Sequence, residues 1–233
     1  MIRITEHTLH HPRVKERLTL AIAADLHNGS WRETIPALKR ADAILVVGDL
    51  VNRHRPGHEH AEDFLRAAPE LAPTFYSIGN HEWRYPDRAT YWPLVEKSDV
   101  RVLDNEFVDF HGLILGALSS APKGAVDASF LREMEKQEGF RLLMCHQPEY
   151  FRSYVKAHDI DLTVSGHAHG GQVQLLGQGL YAPGQGLLPR LTHGWYEQGR
   201  LLVSRGMTNS TWAPRLMNPC ELILLHLEGE HNG

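Results

Sequence analysis

Apolar and polar positions alternate along the chain in runs that mark strands and helices, and nearly every apolar run closes on a polar turn. Residues 2–9 and 17–24 read as strands, the second ending in Leu18-Thr19-Leu20-Ala21-Ile22-Ala23-Ala24 just before Asp25-Leu26-His27. A helix over 33–40, with Pro36 in its first turn, leads to the buried-strand run 43–47 and then to Gly48-Asp49. Helical spacing recurs over 59–71, a strand follows over 74–78, and Gly79-Asn80-His81-Glu82 comes directly after it. A helix over 88–98 precedes short strands at 100–103, 107–110 and 113–115, a section predicted to be antiparallel. A helix over 127–137, capped by Asp127 and stopped at Gly139, leads into the strand 141–145 and His146-Gln147-Pro148. After a helix near 149–157, a strand ends at Ser165 and delivers Gly166-His167-Ala168-His169-Gly170-Gly171. Closing strands are expected at 201–204 and 221–227. The loops 52–60 and 175–195 are long enough to be functional, and there is neither an internal repeat nor a low-complexity linker.

Composition narrows the class. A chain of 233 residues can bury a sizeable core, and one domain spanning 1–233 is expected. With 42% hydrophobic and 22% charged residues, disorder and a coiled coil are both disfavoured. A formal charge of -4 and the lack of a Lys/Arg run argue against dedicated nucleic-acid binding. Cys145 and Cys220 stand far apart and give neither a disulfide framework nor a CxxC signature, so two reduced thiols are expected. The first twenty residues carry Arg3, Glu6, Arg13, Lys15, Glu16 and Arg17 without an apolar run. No signal peptide or transmembrane segment is read there, and a cytoplasmic location is the expectation. Sixteen histidines are the anomaly, and they raise the expectation of a metal site without locating it.

Location comes from the strand ends. Five of them present Asp25 and His27, Asp49, Asn80 and His81, His146, and His167 and His169. In α/β proteins ligands gather outside the carboxyl ends of strands, so five such turns would meet in one cleft. Singly, each has a plain structural reading as a helix cap, a turn, an Asx turn or a core histidine. His167 and His169, at i and i+2, point to opposite sides of an extended chain, but a glycine-built turn could offer one ring to each of two ions.

Taken in order, D-x-H, G-D, G-N-H-E, H and G-H-x-H resemble the calcineurin-like metallophosphoesterase superfamily over nearly the whole chain. The segments 166–173 and Val203-Ser204-Arg205-Gly206, with Asn218-Pro219, are similar to those of a bacterial phosphodiesterase branch, many of whose relatives carry an N-terminal membrane anchor. The resemblance implies a single-domain, four-layer α/β/β/α sandwich of two mixed sheets flanked by helices. It also implies two divalent transition metal ions, Mn, Fe or Zn, for which mixed oxygen and imidazole ligands are suited. Carried over residue by residue, Asp25, His27, Asp49 and His169 would hold one ion. Asp49, Asn80, His146 and His167 would hold the other, with Asp49 bridging. The implied chemistry is in-line attack on phosphorus by a hydroxide between the ions, with His81 and Asp49 as the catalytic residues.

One departure concerns Asn52, which stands where some relatives have an aspartate paired with the histidine equivalent to His81. Its amide oxygen would accept from the imidazole N–H while supplying no full charge, which couples Asn52 to the titration of His81. His54, His58 and His60 read as a solvated loop, with a third metal site or a phosphate contact as the alternative. Arg84 and Tyr85 are candidates for lining the cleft, and the 178–188 loop for covering the organic part of the substrate, touching lipid or packing its leucines inward. The leading expectation is a phosphodiesterase acting on a small phosphate ester, nucleotide- or lipid-linked substrates among the options. The alternatives are a phosphomonoesterase, a nuclease of the same fold and a metal-binding scaffold without catalysis.

Overall fold

The computed structural model describes residues 1–122, 125–210 and 214–230. Its first half contains strands β1 (Arg3–His10), β2 (Leu18–Ala23), β3 (Ala43–Val47), β4 (Thr74–Ser77) and β5 (Arg101–Leu103). Between them lie helices α1 (Ile35–Leu38), α2 (Glu59–Leu71), α3 (Asn80–Trp83) and α4 (Arg88–Lys97). The second half adds β6 (Glu106–Phe110), β7 (Leu113–Leu118), α5 (Leu131–Met134), β8 (Phe140–Cys145) and β9 (Leu162–Ser165). Two small hairpins follow, β10 (Gln174–Leu175) with β11 (Gln178–Gly179), and β12 (Tyr181–Ala182) with β13 (Gly186–Leu187). The last strands are β14 (Gly194–Tyr196), β15 (Leu201–Val203) and β16 (Glu221–Glu228).

One six-stranded sheet runs β1-β16-β2-β3-β4-β5 and the other β14-β15-β9-β8-β7-β6. Both are mixed. In the first, β16 is antiparallel to β2 while β2, β3, β4 and β5 are parallel; in the second, β7, β8, β9 and β15 are parallel and β6 and β14 are antiparallel edges. Successive side chains on a strand face opposite ways, so the near-continuous apolar runs of the central strands serve two cores at once. Leu20, Ile22, Leu45 and Val47 meet Leu115, Leu142, Met144 and Val164 between the sheets. Ala21, Ile44, Val46 and Tyr76 face outward onto Phe64 and Leu65 of α2 and Tyr91 and Val95 of α4. Ile114 and Leu143 face Leu131 and Met134 of α5, together with Phe151 and Val155. The result is the expected four-layer α/β/β/α sandwich. Each fully buried Leu or Ile contributes about 1.5–3 kcal/mol.

Several local expectations are corrected. The helix over 33–40 is a 3-10 turn at Arg32–Thr34 followed by the single turn of α1. Only Leu131–Met134 of the helix over 127–137 is α-helical, because Asp127 Oδ1 accepts from the Ser129 N–H at 2.9 Å and closes a local turn instead of capping a helix. The helix near 149–157 is a π-helical turn, Phe151–Val155. The section from 100 to 115 is not one antiparallel unit. β6 and β7 are antiparallel, but β5 joins the first sheet parallel to β4, and β7 extends to Leu118 parallel to β8. Alternation of residue types marks strands without naming their partners, and here the chain crosses from one sheet to the other between β5 and β6. The loop over 175–195 forms the two hairpins and the edge strand β14, and Leu175, Leu176, Leu187 and Leu188 are exposed rather than packed inward. Among the described residues no helix is long and apolar enough to cross a membrane.

Candidate metal centre

The carboxyl ends of β2, β3 and β4 in one sheet and of β8 and β9 in the other come together at a shared edge, and the polar turns found in the sequence converge there. Asp25 and His27 follow β2, Asp49 follows β3, Asn80 and His81 open α3 after β4, His146 follows β8, and His167 and His169 follow β9. All except Asn80, which is half-buried, are buried. Asp25, His27, Asp49, His167 and His169 have φ between 47° and 67°, the left-handed region that costs a non-glycine residue of order 1–3 kcal/mol. The turns thus reverse sharply enough to aim adjacent side chains inward.

Neighbouring glycines allow the approach. A Cβ on Gly48, whose φ is 73°, would lie 2.6 Å from His146 Nδ1 and 2.8 Å from the Gly79 Cα. On Gly166 it would lie 2.5 Å from Asp25 Oδ2.

The side chains fall into overlapping groups. Asp25, His27 and His169 form one, Asp49, His146 and His167 a second, and His27, Asp49 and His81 a third that joins them. His27 Nε2 lies 3.2 Å from His169 Nε2, and each is 3.5 Å from Asp25 Oδ1. Asp49 Oδ2 is 3.0 Å from His146 Nε2, 3.7 Å from His81 Nε2 and 3.9 Å from His27 Nε2. Asp49 thus belongs to the second and third groups, and His27 to the first and third. The pair of histidines after β9 divides between the first and second, His169 with Asp25 and His27, and His167 with Asp49 and His146.

The donor set has the character of a cation site. Asp25 Oδ1, Asn80 Oδ1 and His146 Nε2 are buried without a hydrogen-bond partner, a costly arrangement unless a cation satisfies them. His146 makes the point most sharply. Its Nδ1–H donates to the Val47 carbonyl at 2.8 Å, so in the neutral ring the Nε2 lone pair faces the Asp49 carboxylate. Two acceptors face each other, and a proton or a metal must sit with them. Burial lowers the pKa of His146, but the Asp49 carboxylate more than offsets it and lifts the value to about 10. Burial raises the carboxyls of Asp25 and Asp49, yet the surrounding histidines, His169 and His27 for the first and His146 and His81 for the second, hold both below the usual range. Burial lowers His167 to about 4 and His169 to about 3, leaving both rings neutral as ligands must be.

His81 differs from expectation in its partner. Its Nδ1 accepts from the Arg53 backbone N–H at 3.1 Å, so the neutral ring carries its proton on Nε2. The predicted pairing with Asn52 is not formed. Asn52 Oδ1 accepts from the His54 N–H at 3.0 Å and Nδ2 donates to the Ser210 carbonyl at 3.2 Å. The side chain is spent on tying the loop after β3 to the loop after β15. Burial lowers His81 to about 3.

Three supporting groups carried no assigned role in the sequence. Glu82 accepts from the backbone N–H groups of Gly79 at 2.8 Å, Asp49 at 3.0 Å and Leu50 at 2.7 Å, tying the turns after β3 and β4 together. Arg215 Nη2 lies 2.8 Å from His169 Nδ1, and its Nη1 donates to the Arg205 carbonyl at 2.6 Å. Asn218 Nδ2 donates to the His169 carbonyl at 2.6 Å while its Oδ1 accepts from Arg205 at 3.1 Å. Glu82 stands inside a recognised motif and was open to discovery there; Arg215 has no local signal at all. Of the other candidates, His58 Nδ1 lies 3.2 Å from the Tyr85 hydroxyl and its ring packs on Tyr91, whereas His54 accepts from Arg53 Nε at 3.0 Å. Among the described residues no candidate metal-holding group contains His54, His58 or His60. Cys145 and Cys220 are free thiols.

A cleft of about 530 Å³ opens beside the cluster, with Asn80 and His167 in its lining and Arg53, Trp83, Arg84 and Glu149 around them.

The family model described as calcineurin-like phosphoesterase matches residues 18–171, a span that contains all seven expected ligands and His81. An uncharacterized metallophosphoesterase of Campylobacter jejuni is 28% identical over 239 residues, covering 94% of this chain and 61% of that protein. One from Helicobacter pylori is 28% identical over 187 residues, 73% of this chain and 50% of its own. The chain thus spans about half to three-fifths of the length of these two relatives. A third, from Aquifex aeolicus, is 23% identical over 252 residues, 99% of this chain and 94% of that one. With the model matched across every turn of the cluster, the chain belongs to the calcineurin-like phosphoesterase family.

Proposed function

We propose that the chain hydrolyses phosphodiesters at a dinuclear metal centre. Asp25, His27, Asp49 and His169 would hold one ion and Asp49, Asn80, His146 and His167 the other, with Asp49 shared. The observation that carries this reading is the set of buried, unpartnered acceptor atoms on Asp25, Asn80 and His146, gathered at the end of an open cleft. Two divalent transition ions bound there would supply an activated water and neutralise charge on the phosphoryl oxygens.

The remaining chemistry belongs to the chain. Asp49 sets the distance between the two ligand groups, and its Oδ1 is fixed by the His81 N–H at 2.8 Å. His81 is a neutral ring whose Nε2–H donates a hydrogen bond to the phosphoryl or leaving oxygen, an oriented dipole rather than a strong acid. Glu82 holds the turns of Asp49 and Asn80 at one separation. The cleft, at about 530 Å³, exceeds what a phosphoryl group fills and leaves room for an ester arm on either side of phosphorus.

Metal analysis of protein purified without chelator should give close to two transition ions per chain. Hydrolysis of bis-p-nitrophenyl phosphate should rise with added Mn and exceed that of p-nitrophenyl phosphate. A metal-loaded protein that turns over neither compound would instead be a scaffold, and a preference for the second would make it a monoesterase.

A further inference from the structure

The cleft beside the metal cluster has two walls of different chemistry. The loop after β3 and helix α3 bring Arg53, Trp83 and Arg84; the segment after β8 brings Glu149, Tyr150 and Tyr154. Several arginines of this chain are paired, Arg32 with Asp63, Arg40 with Glu6, Arg141 with Asp159 and Arg152 with Glu197. Arg53 and Arg84 are not. Among the described residues neither forms an ion pair, the Arg53 guanidinium donating to His54, and the two lie near enough for Arg84, after burial, to disfavour the charge on Arg53 while Asp49 favours it. Two guanidiniums that form no ion pair, both in the lining of the cleft beside the metal cluster, mark a place for an anion.

The aromatic groups add the second feature. Trp83 is 40% exposed at the rim of the cleft, a large apolar ring left in water. Its orientation is fixed by the Arg88 guanidinium, 5.0 Å from its centroid, which also lies 5.1 Å from Trp92. Tyr150 and Tyr154 meet edge to face at 5.2 Å, and the Tyr150 hydroxyl donates to the Ala121 carbonyl at 3.4 Å. Glu149 supplies the third. Its Oε1 lies 3.8 Å from His167 Nε2 and accepts from Gln147 at 3.3 Å, while Oε2 is buried without a partner and calls for a donor.

We propose that the cleft binds a nucleotide-type phosphate ester. Its planar ring lies against the aromatic groups Trp83, Tyr150 and Tyr154, an anionic group beyond the reacting phosphoryl sits on Arg53 and Arg84, and a hydroxyl or amino donor bonds to Glu149. A long acyl chain in the same cleft would strip water from two guanidiniums and a carboxylate without replacing their hydrogen bonds. A bare phosphate would leave the aromatic groups unused. This assignment of substrate class rests on the phosphoesterase reading of the neighbouring metal centre.

Equilibrium binding of ADP and of inorganic pyrophosphate to the metal-loaded protein tests it, because the two probes share their anionic group and differ in the nucleoside. ADP should bind about ten-fold or more tightly than pyrophosphate, the gain expected of one stacked base. Trp83→Ala should bring the ratio close to one and Trp83→Phe should retain most of it. Arg84→Ala should weaken both probes together. Equal binding of ADP and pyrophosphate by the wild-type protein, or a ratio that survives Trp83→Ala, would overturn the proposal. Turnover of methyl p-nitrophenyl phosphate, whose retained arm has no ring, judges the phosphoesterase reading on its own.

Discussion

His81 shows how one hydrogen bond assigns a chemical role. Because Nδ1 is occupied as an acceptor for the Arg53 N–H and burial holds the pKa near 3, the ring is neutral throughout the range in which such an enzyme works. A group titrating that low adds no limb to a rate profile between pH 5 and 9. His81→Ala should lower kcat by about 100-fold, the worth of one oriented donor at a charged transition state, while the limbs of the pH profile stay where they are. A limb that disappears in the variant would show instead that His81 titrates in catalysis. Asn52 is a structural neighbour of the same loop. Asn52→Asp would turn a donor to the Ser210 carbonyl into a repelling acceptor and should cost about 1–3 kcal/mol in denaturant unfolding, leaving the pH profile unmoved. Asp49→Ala removes the side chain proposed to be shared by the two ions, so metal analysis should find both lost together. Retention of one would remove Asp49 from its bridging position.

At the level of elements, the strand-end turns carry the precision of the site. The turns after β2, β3 and β9 run through left-handed backbone at residues that are not glycine, and the packing behind them has to hold that conformation. Glu82 does so between β3 and β4, Arg215 and Asn218 behind His169. Gly48→Ala meets both a positive φ and the ring of His146, and should cost at least about 2 kcal/mol together with a loss of bound metal. An unfolding temperature within about 2 °C of wild type would mean that the turn can relax around a methyl group. The segments Val203–Gly206 and Asn218-Pro219, which first stood out only as a likeness to one branch of relatives, have a physical purpose here. Gly206 lies against Asp25, and Arg205 and Asn218 bond to each other at the back of the site.

For the molecule as a whole, the two sheets together form a rigid frame around a cluster that is electrostatically incomplete by itself. In the metal-free protein a proton occupies the place between His146 and Asp49, and its pKa near 10 means that it is held at neutral pH. Metal must displace it, so loading should release about one proton per chain at pH 7, and the affinity should rise roughly ten-fold per pH unit from pH 6 to 9. Calorimetric titration in buffers of different ionisation enthalpy measures both. An affinity independent of pH would show that His146 is not held protonated by Asp49 before metal binds.

How far all this was legible differs from one residue to the next. The strand-then-turn series ending in Asp25, Asp49, Asn80, His146 and His167 was readable because a strand and the turn after it are neighbours in sequence, and periodicity is a local property. The four-layer sandwich, the choice of the seven candidate ligands and their grouping came instead from the family resemblance that those turns carry. The short α5 and the π-helical turn after β8 were overestimated, since local propensity is weak once packing decides which residues turn. The tertiary structure alone decided what spans long separations: the division of β5 and β6 between two sheets, His81 taking the Arg53 N–H in place of Asn52, and Arg215 reaching His169 across 46 residues. The same holds for the cleft that sets Arg84 opposite Glu149. Contacts of that kind impose no spacing on the chain, so the sequence by itself determined which chemistry the turns could carry, and the fold decided how each of them is held.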